Sequence, residues 1–136
     1  MGAEGTGEGI QGDLVLDAGA LIALERGTRP LAIVLEAARE CGCEIRIPAT
    51  VLARAWRGGP RAATLERLIA SSSVDSLDER RAMEVGSRLG ARGGLDVADC
   101  HVVCCALERQ AVVATSDAED IRALLGPGEK VALIAV

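Results

Sequence analysis

The sequence is almost without aromatic residues: its 136 residues include no Phe, no Tyr and a single Trp, Trp56. Many proteins that bind single-stranded nucleic acid stack the bases on aromatic side chains, so an OB-fold or RRM-like module is not expected. The core must instead be built from Leu, Val, Ile and Ala, which gain about 25 cal/mol for each Å² of apolar surface buried. Because 49% of the residues are hydrophobic, the composition favours a packed domain over a disordered chain.

Membrane spans, disulfide frameworks and zinc sites also lack their usual sequence signals. No apolar run reaches the ~18 residues that a membrane span needs, and the N-terminus has no signal-peptide pattern. We therefore expect a cytoplasmic protein with no membrane association. The five Cys are an odd number without a CxxC pair, and His101 is the only His. This pattern argues against a zinc site and a disulfide framework, and the Cys are expected to be small core residues.

The net charge of −5 has the wrong sign for a protein whose main task is to coat phosphates. One segment differs, because from Arg46 to Arg67 there are five Arg and one acid, Glu66, a local balance of +4. This segment could contact an RNA backbone or an acidic partner, or it could be only a solvated helix face. Its candidate contact residues are Arg54, Arg57, Arg61 and Trp56.

The chain divides into a short tail and one domain. Residues 1–12 are Gly-rich and have no apolar period, so they predict a flexible tail. The formal GxGxxG of Gly7, Gly9 and Gly12 precedes the first strand, whereas a dinucleotide-binding motif would follow one, so this is a chance match. Residues 13–136 have the length of a single domain.

Strands and helices alternate along this domain. Apolar runs predict strands at 13–17, 44–47, 73–77, 111–115 and 130–136, and the stretches between them predict helices, several of which stop at Gly. Such alternation implies a parallel sheet covered on both faces. The expected fold class is α/β: a three-layer α/β/α sandwich with a central, mostly parallel twisted sheet of about five strands.

Acidic residues fall where such a sheet would bind a ligand. In open α/β sheets the ligand lies in the crevice outside the carboxyl ends of the strands. Asp17 ends the first predicted strand, and Asp117 follows the strand 111–115 by two residues. Thr115 and Ser116 add further oxygen atoms beside Asp117. These positions predict an acidic crevice.

A further pair, Asp96 and Asp99, begins the helix before strand 111–115, and a spacing of three places both on one helical face. Carboxylates gathered in this way repel one another unless a cation joins them, and Mg²⁺ or Mn²⁺ suits an all-carboxylate site. A structural alternative exists, because Asp96 and Asp117 both stand where a helix N-cap stands. That alternative is favoured for Asp96 and a site role for Asp117, whereas Asp17 and Asp99 have little evident structural use.

Three segments resemble, in order, the PIN (PilT N-terminal) domain nucleases. LVLDAGALIAL resembles their opening strand, which ends in Asp and leads into a helix; DVADCHVVCCALERQ resembles a later helix, and AVVATSDAEDI resembles their strand with Thr-x-Asp. The resemblance spans residues 13–125. It implies that Asp17, Asp99 and Asp117 are catalytic, metal-binding acids, with Thr115 and Ser116 supporting them and Asp96 as an extra ligand. The chain looks most like VapC-type toxin ribonucleases, which implies RNA cleavage with Mg²⁺ or Mn²⁺, a homodimer and an antitoxin partner.

One position departs from the family pattern. A Glu usually follows Leu-Ala on the helix after the second strand, but here Leu52-Ala53 is followed by Arg54. A guanidinium close to a divalent ion would repel it. Arg54 could point away, pair with Asp17 or Asp99, or hold the scissile phosphate, and Asp96 is the better candidate than Glu25 for a compensating acid.

Two functions therefore remain open. The first is a metal-dependent ribonuclease, the toxin of a type II toxin–antitoxin pair. The second is a catalytically impaired PIN-fold protein that binds RNA or a protein partner without cleaving. An unrelated receiver-like domain is disfavoured, because it would need a Lys at a late strand end, and the only Lys, Lys130, precedes the last strand.

Overall fold

A computed structural model describes residues 12–136, apart from the side chain of Arg61. The predicted flexible tail, residues 1–12, thus lies outside the described residues except for Gly12. The elements follow in the order β1 (Leu14–Leu16), α1 (Ala18–Arg26), α2 (Arg29–Cys41), β2 (Ile45–Pro48), α3 (Ala49–Ala55), a 3₁₀ turn (Pro60–Ala62), α4 (Ala63–Ala70), β3 (Ser73–Asp75), α5 (Glu79–Arg92), α6 (Val97–Arg109), β4 (Val112–Thr115), α7 (Ala118–Ala123) and β5 (Ala132–Ala135).

The five strands form one sheet in the order β3-β2-β1-β4-β5, and every neighbouring pair is parallel. The helices between the strands flank this sheet. The predicted α/β class and the five-stranded parallel sheet are therefore confirmed. Strand β1 lies at the centre, where Leu16 pairs with Ala114 of β4 and Leu14 with Ile45 of β2.

Several strands are shorter than predicted because their flanking residues cap helices or form turns. β1 ends at Leu16, since Asp17 turns out of the strand to cap α1. β3 ends at Asp75 rather than at residue 77, because the chain turns there toward α5, whose N-cap is Asp78. The helix predicted from Pro60 begins as a 3₁₀ turn and becomes α-helical only at Ala63.

The core is aliphatic, as the lack of aromatic residues requires. All three residues of β1 are fully buried, and α6 contributes an unbroken buried run from Cys100 to Ala106. The prediction that the Cys are core residues is confirmed for the three in this run. It is wrong for Cys41, which is exposed at the end of α2, while Cys43 is half-buried. No helix within residues 12–136 has the length and apolar character to cross a membrane.

Candidate functional site

The carboxyl ends of β1 and β4 lie side by side and bring two of the predicted acids to one edge of the sheet. Asp17 directly follows β1, and its backbone N–H donates to the carbonyl of Ala114 in β4 over 3.2 Å. The Thr115 hydroxyl bonds the Asp17 carboxylate and also accepts the backbone N–H of Asp117 over 2.8 Å. Thr115 therefore links the Asp17 carboxylate to the backbone of Asp117.

Asp17 is only 3% exposed, and it caps α1. Its Oδ1 accepts the backbone N–H of Ala20 over 2.8 Å. The expectation that Asp17 has little structural use was therefore wrong, because a cap of this kind stabilises a helix by about 1 kcal/mol. Burial raises the pKa of Asp17 above its ordinary value even though Thr115 and several backbone N–H groups bond its carboxylate.

Asp99 is the acid that a structural role does not explain. It lies in the first turn of α6 and is half-buried. Throughout residues 12–136, no side chain or backbone group forms a hydrogen bond or ion pair with its carboxylate. Burial raises the pKa of Asp99 to about 6, with further contributions from the negative charges of Asp96, Asp17 and Asp120. The structure therefore brings Asp99 together with these three acids.

Asp96 serves two structural purposes. Its Oδ1 caps α6 by accepting the backbone N–H of Asp99 over 2.9 Å. Its carboxylate also receives both terminal nitrogens of Arg54, over 3.0 Å to Oδ2 and 3.3 Å to Oδ1. Burial acts to raise the pKa of Asp96, but the bonds from the Asp99 N–H and from Arg54 outweigh it and lower the pKa.

Arg54 lies on α3 and reaches the acids at the start of α6. The sequence left open whether Arg54 points away, pairs with Asp17 or Asp99, or is free to hold a phosphate, and the structure pairs it with Asp96. The positive charge of the guanidinium offsets part of the rise in the pKa of Asp99. Since both partners of the Arg54–Asp96 pair are exposed, at 49% and 37% of their side-chain surface, the pair can open at a cost of about 1 kcal/mol or less.

Asp117 is the N-cap of α7. It interacts with Asp120, an acid that the sequence analysis did not single out. Its carboxylate accepts the backbone N–H of Asp120 over 3.4 Å. A hydrogen bond between the two carboxyl groups raises the pKa of Asp120, and Asp120 is one of the charges acting on Asp99. The available signal was the spacing of three between Asp117 and Asp120, which places both at the same helix start.

Gly19 is a second residue that sequence reasoning missed. It lies in α1 against Ser116, which is exposed and follows β4. A Cβ at position 19 would lie 1.8 Å from the Ser116 Oγ, 2.8 Å from its Cβ and 3.4 Å from Oδ1 of Asp17. The absence of a side chain therefore lets the start of α1 and the loop after β4 approach each other beside the acids.

The donor chemistry of this edge fits a hard divalent cation, because every candidate ligand is an oxygen and the carboxylates crowd one another. However, no three His, Cys, Asp or Glu side chains within the described part of the chain converge to enclose a metal ion. Asp117 and Asp120 are exposed, so their side chains can change rotamer at little cost.

The basic segment, residues 46–67, runs from β2 through α3 and the 3₁₀ turn into α4. Arg57 donates to the backbone carbonyl of Trp56 over 2.7 Å. The Trp56 side chain is 37% exposed and lines a pocket together with Glu25, Pro60 and Leu65. Trp56 is thus open to a partner, which is compatible with the predicted contact role. The side chain of Arg61 lies outside the described part of the structure.

His101 is fully buried, and its hydrogen-bond partners are not among the acids grouped around Asp99. Its Nε2 lies 2.7 Å from Oδ2 of Asp75, and its Nδ1 lies 2.9 Å from the Thr50 hydroxyl. Burial lowers the pKa of His101 in spite of the Asp75 carboxylate. The neutral ring therefore donates from Nε2 to Asp75 and accepts the Thr50 hydroxyl at Nδ1. The same Asp75 binds the buried Arg81 through Nε at 3.0 Å and Nη2 at 3.1 Å.

Comparison with known proteins identifies the fold. No protein-family profile and no curated protein sequence matches the chain. Solved structures do match it. A chain of the DNA-bound VapBC complex from Salmonella typhimurium is 16% identical, with 92% of this chain and 98% of that chain covered at a TM-score of 0.68.

Two further structures agree. A chain of VapBC2 from Rickettsia felis, bound to a DNA fragment from its promoter, is 14% identical over 90% of this chain and 98% of that chain, with a TM-score of 0.63. A chain of FitAcB from Neisseria gonorrhoeae is 18% identical over 89% and 96%, with a TM-score of 0.52. At identities this low, the structural similarity establishes a shared fold and nothing more. This protein has the PIN-domain fold of the VapBC and FitAB type, as its sequence motifs predicted.

Proposed function

We propose that this protein is a metal-dependent ribonuclease and the toxin of a toxin–antitoxin pair. The observation that carries the proposal is Asp99, whose half-buried carboxylate has no bonding partner within residues 12–136 and lies beside Asp17 and Asp96 at the ligand-binding edge of the sheet. Carboxylates are placed together without a partner at a cost in stability, and such a cost is typical of functional sites.

Asp17, Asp99 and Asp117 are the proposed ligands of Mg²⁺ or Mn²⁺, with Asp96 and Asp120 close by. When bound, the ion would polarise the phosphodiester and lower the pKa of the attacking water. The protein holds the ligands in place. Asp17 is fixed by its cap bond and by Thr115, and the backbone of Asp99 is fixed in the first turn of α6. Rigid carboxylates preserve the geometry that such a site requires.

Arg54 is proposed to exchange partners when RNA binds. In the structure it holds Asp96, which is exposed, and a phosphate can receive the same two guanidinium nitrogens. That exchange would place a positive charge on the substrate and release the Asp96 carboxylate toward the ion. Arg57 and Arg61 are the proposed further contacts to the RNA backbone.

Protein partners form part of the same proposal. Two of the structural relatives are VapBC complexes bound to DNA, which supports an antitoxin as the binding partner of this chain. The pocket lined by Trp56, Glu25, Pro60 and Leu65 is a candidate contact for it. A homodimer is proposed on the resemblance alone.

The test is thermal unfolding during a Mn²⁺ titration, followed by an RNA-cleavage assay with and without the metal. An ion at 100 times its Kd adds about 2.7 kcal/mol of stability, which raises the Tm of a domain of this size by about 5–10 °C. Asp17→Asn and Asp99→Asn should abolish both the shift and the cleavage. Asp78→Asn is the matched control, because Asp78 caps α5 in the same way as Asp17 caps α1.

The Arg54–Asp96 pair supports a second function, a PIN-fold protein that binds RNA or a partner without cleaving it. In that case Arg54 permanently occupies the place of the missing acid and neutralises part of the cluster. Unchanged Tm values with Mn²⁺, together with RNA retention on a filter that Arg57→Ala weakens, would favour this function over the ribonuclease.

A further inference from the structure

Cys41 and Cys43 lie close together in sequence just before β2, at the edge of the sheet opposite the cluster of acids. Helix α2 ends at Cys41, and Cys43 lies just before β2. Between them Gly42 has φ 71° and ψ 24°, in the left-handed region that favours glycine. The turn is fixed by two backbone bonds, from Gly42 N–H to the Arg39 carbonyl over 3.1 Å and from Cys43 N–H to the Ala38 carbonyl over 2.9 Å.

This turn places the two Cα atoms at the separation that a disulfide prefers. The distance between the Cα atoms on either side of one residue is set by the dihedral angles of that residue. A left-handed residue is the mirror image of a helical one, so Cys41 and Cys43 are separated by about 5.4 Å, the i to i+2 distance of a helix. Disulfides favour Cα separations of about 5.5–6 Å. Burial raises the pKa of Cys43, and the neighbouring Cys41 thiol adds to that rise.

Solvent access separates this pair from the other cysteines. Cys41 is exposed and Cys43 is half-buried, whereas Cys100, Cys104 and Cys105 are each 0% exposed. A water-soluble oxidant therefore reaches Cys41 first in the folded protein. Thiol–disulfide exchange depends on such access, so among the five cysteines this pair is the one that a solution oxidant can reach.

We propose that Cys41 and Cys43 form a redox-active dithiol, which a small disulfide such as oxidised glutathione converts into an intramolecular disulfide. The Cys41 thiolate attacks one sulfur of the oxidant and releases one reduced thiol. Cys43 then gives its proton to solvent and attacks Sγ of Cys41, which releases the second reduced thiol. Two protein thiols are thereby oxidised, and one small disulfide is reduced to two thiols. The site does not depend on the proposed nuclease function.

The full-length reduced protein is incubated with oxidised glutathione under native conditions, acid-quenched, alkylated after denaturation and digested with trypsin. Cleavage after Arg39 and Arg46 yields peptide 40–46, which contains Cys41 and Cys43, while the other three cysteines fall in peptide 93–109. The expected product is peptide 40–46 lighter by two hydrogens and without alkyl groups, and peptide 93–109 alkylated at all three positions. Dithiothreitol should reverse the change.

The Cys43→Ser variant tests the resolving step. It lacks the second thiol, so it should stop at a glutathione adduct on Cys41, which the native protein should not accumulate. A persistent glutathione adduct on the native protein, or an unreacted peptide 40–46, would overturn the proposal. The native protein alone decides these outcomes, so the conclusion does not depend on the folding of the variant.

Discussion

Replacing Asp99 by Asn should make the metal-free protein more stable at neutral pH, although it removes a proposed metal ligand. The reason is that the folded state holds the Asp99 carboxylate half-buried among other acids, and its pKa is raised from 3.8 to about 6. In the unfolded chain the same group ionises at its ordinary value, so the charge is more costly in the folded state. An uncharged Asn of the same shape avoids that cost.

The size of the effect follows from the pKa. A rise from 3.8 to about 6 corresponds to about 3 kcal/mol between the protonated and the charged form. Because Asp99 is only half-buried, solvent and salt screening reduce this to about 1–2 kcal/mol. Since the folded pKa is raised, the contribution of Asp99 to stability is fully present below pH ~4 and is lost as the pH rises through ~6. The advantage of Asn should therefore appear above pH 6 and vanish near pH 4.

The assay is thermal unfolding of the native protein and of Asp99→Asn from pH 4 to pH 8 in the presence of a chelator. At pH 7.5 the variant should unfold about 3–8 °C higher, and at pH 4 the two curves should coincide. Asp78→Asn, a remote helix cap, should show no such pH-dependent difference. If Asp99→Asn is less stable than the native protein by the same amount at every pH, the carboxylate is not under electrostatic strain, and the reasoning fails.

Three further predictions concern neighbouring features. Gly19→Ala should lower the free energy of unfolding by about 1–3 kcal/mol, as measured in urea, because its Cβ would lie 2.8 Å from that of Ser116; an unchanged midpoint would contradict this. Arg54→Glu should tighten Mn²⁺ binding at least tenfold by calorimetry, since it replaces a repelling charge with a ligand, and weaker binding would show that Arg54 supports the site. Arg81→Ala should lower the free energy of unfolding in urea by about 3–5 kcal/mol. Arg81 is 2% exposed, and its removal leaves the Asp75 carboxylate without its bidentate partner. A loss below about 1 kcal/mol would refute this prediction.

The fold could be predicted because local patterns and chain topology agree. Five apolar runs separated by helices leave few alternatives to a parallel sheet, and a parallel sheet sends the ends of β1 and β4 to one edge. The position of Asp17 and Asp117 at that edge follows from this reasoning, as does the burial of α6.

Contacts between distant parts of the chain could not be predicted in the same way. The Arg54–Asp96 pair joins residues 42 positions apart, and nothing local distinguishes it from a pair with Asp99. The capping role of Asp17 depends on the helix that begins at the next residue, which the end of a strand does not indicate. The small apolar side chain of Cys41 favours burial, but its position at the end of α2 leaves it exposed.

The central place of β1 has a consequence for how the protein is synthesised. β1 is synthesised before one of its two neighbours in the sheet, β4, which lies about a hundred residues further along the chain. A nascent chain that still lacks β4 cannot place Asp17 beside Thr115. Long-range pairings of this kind also slow folding. The cluster of acids therefore cannot form until β4 has been synthesised, after every helix through α6.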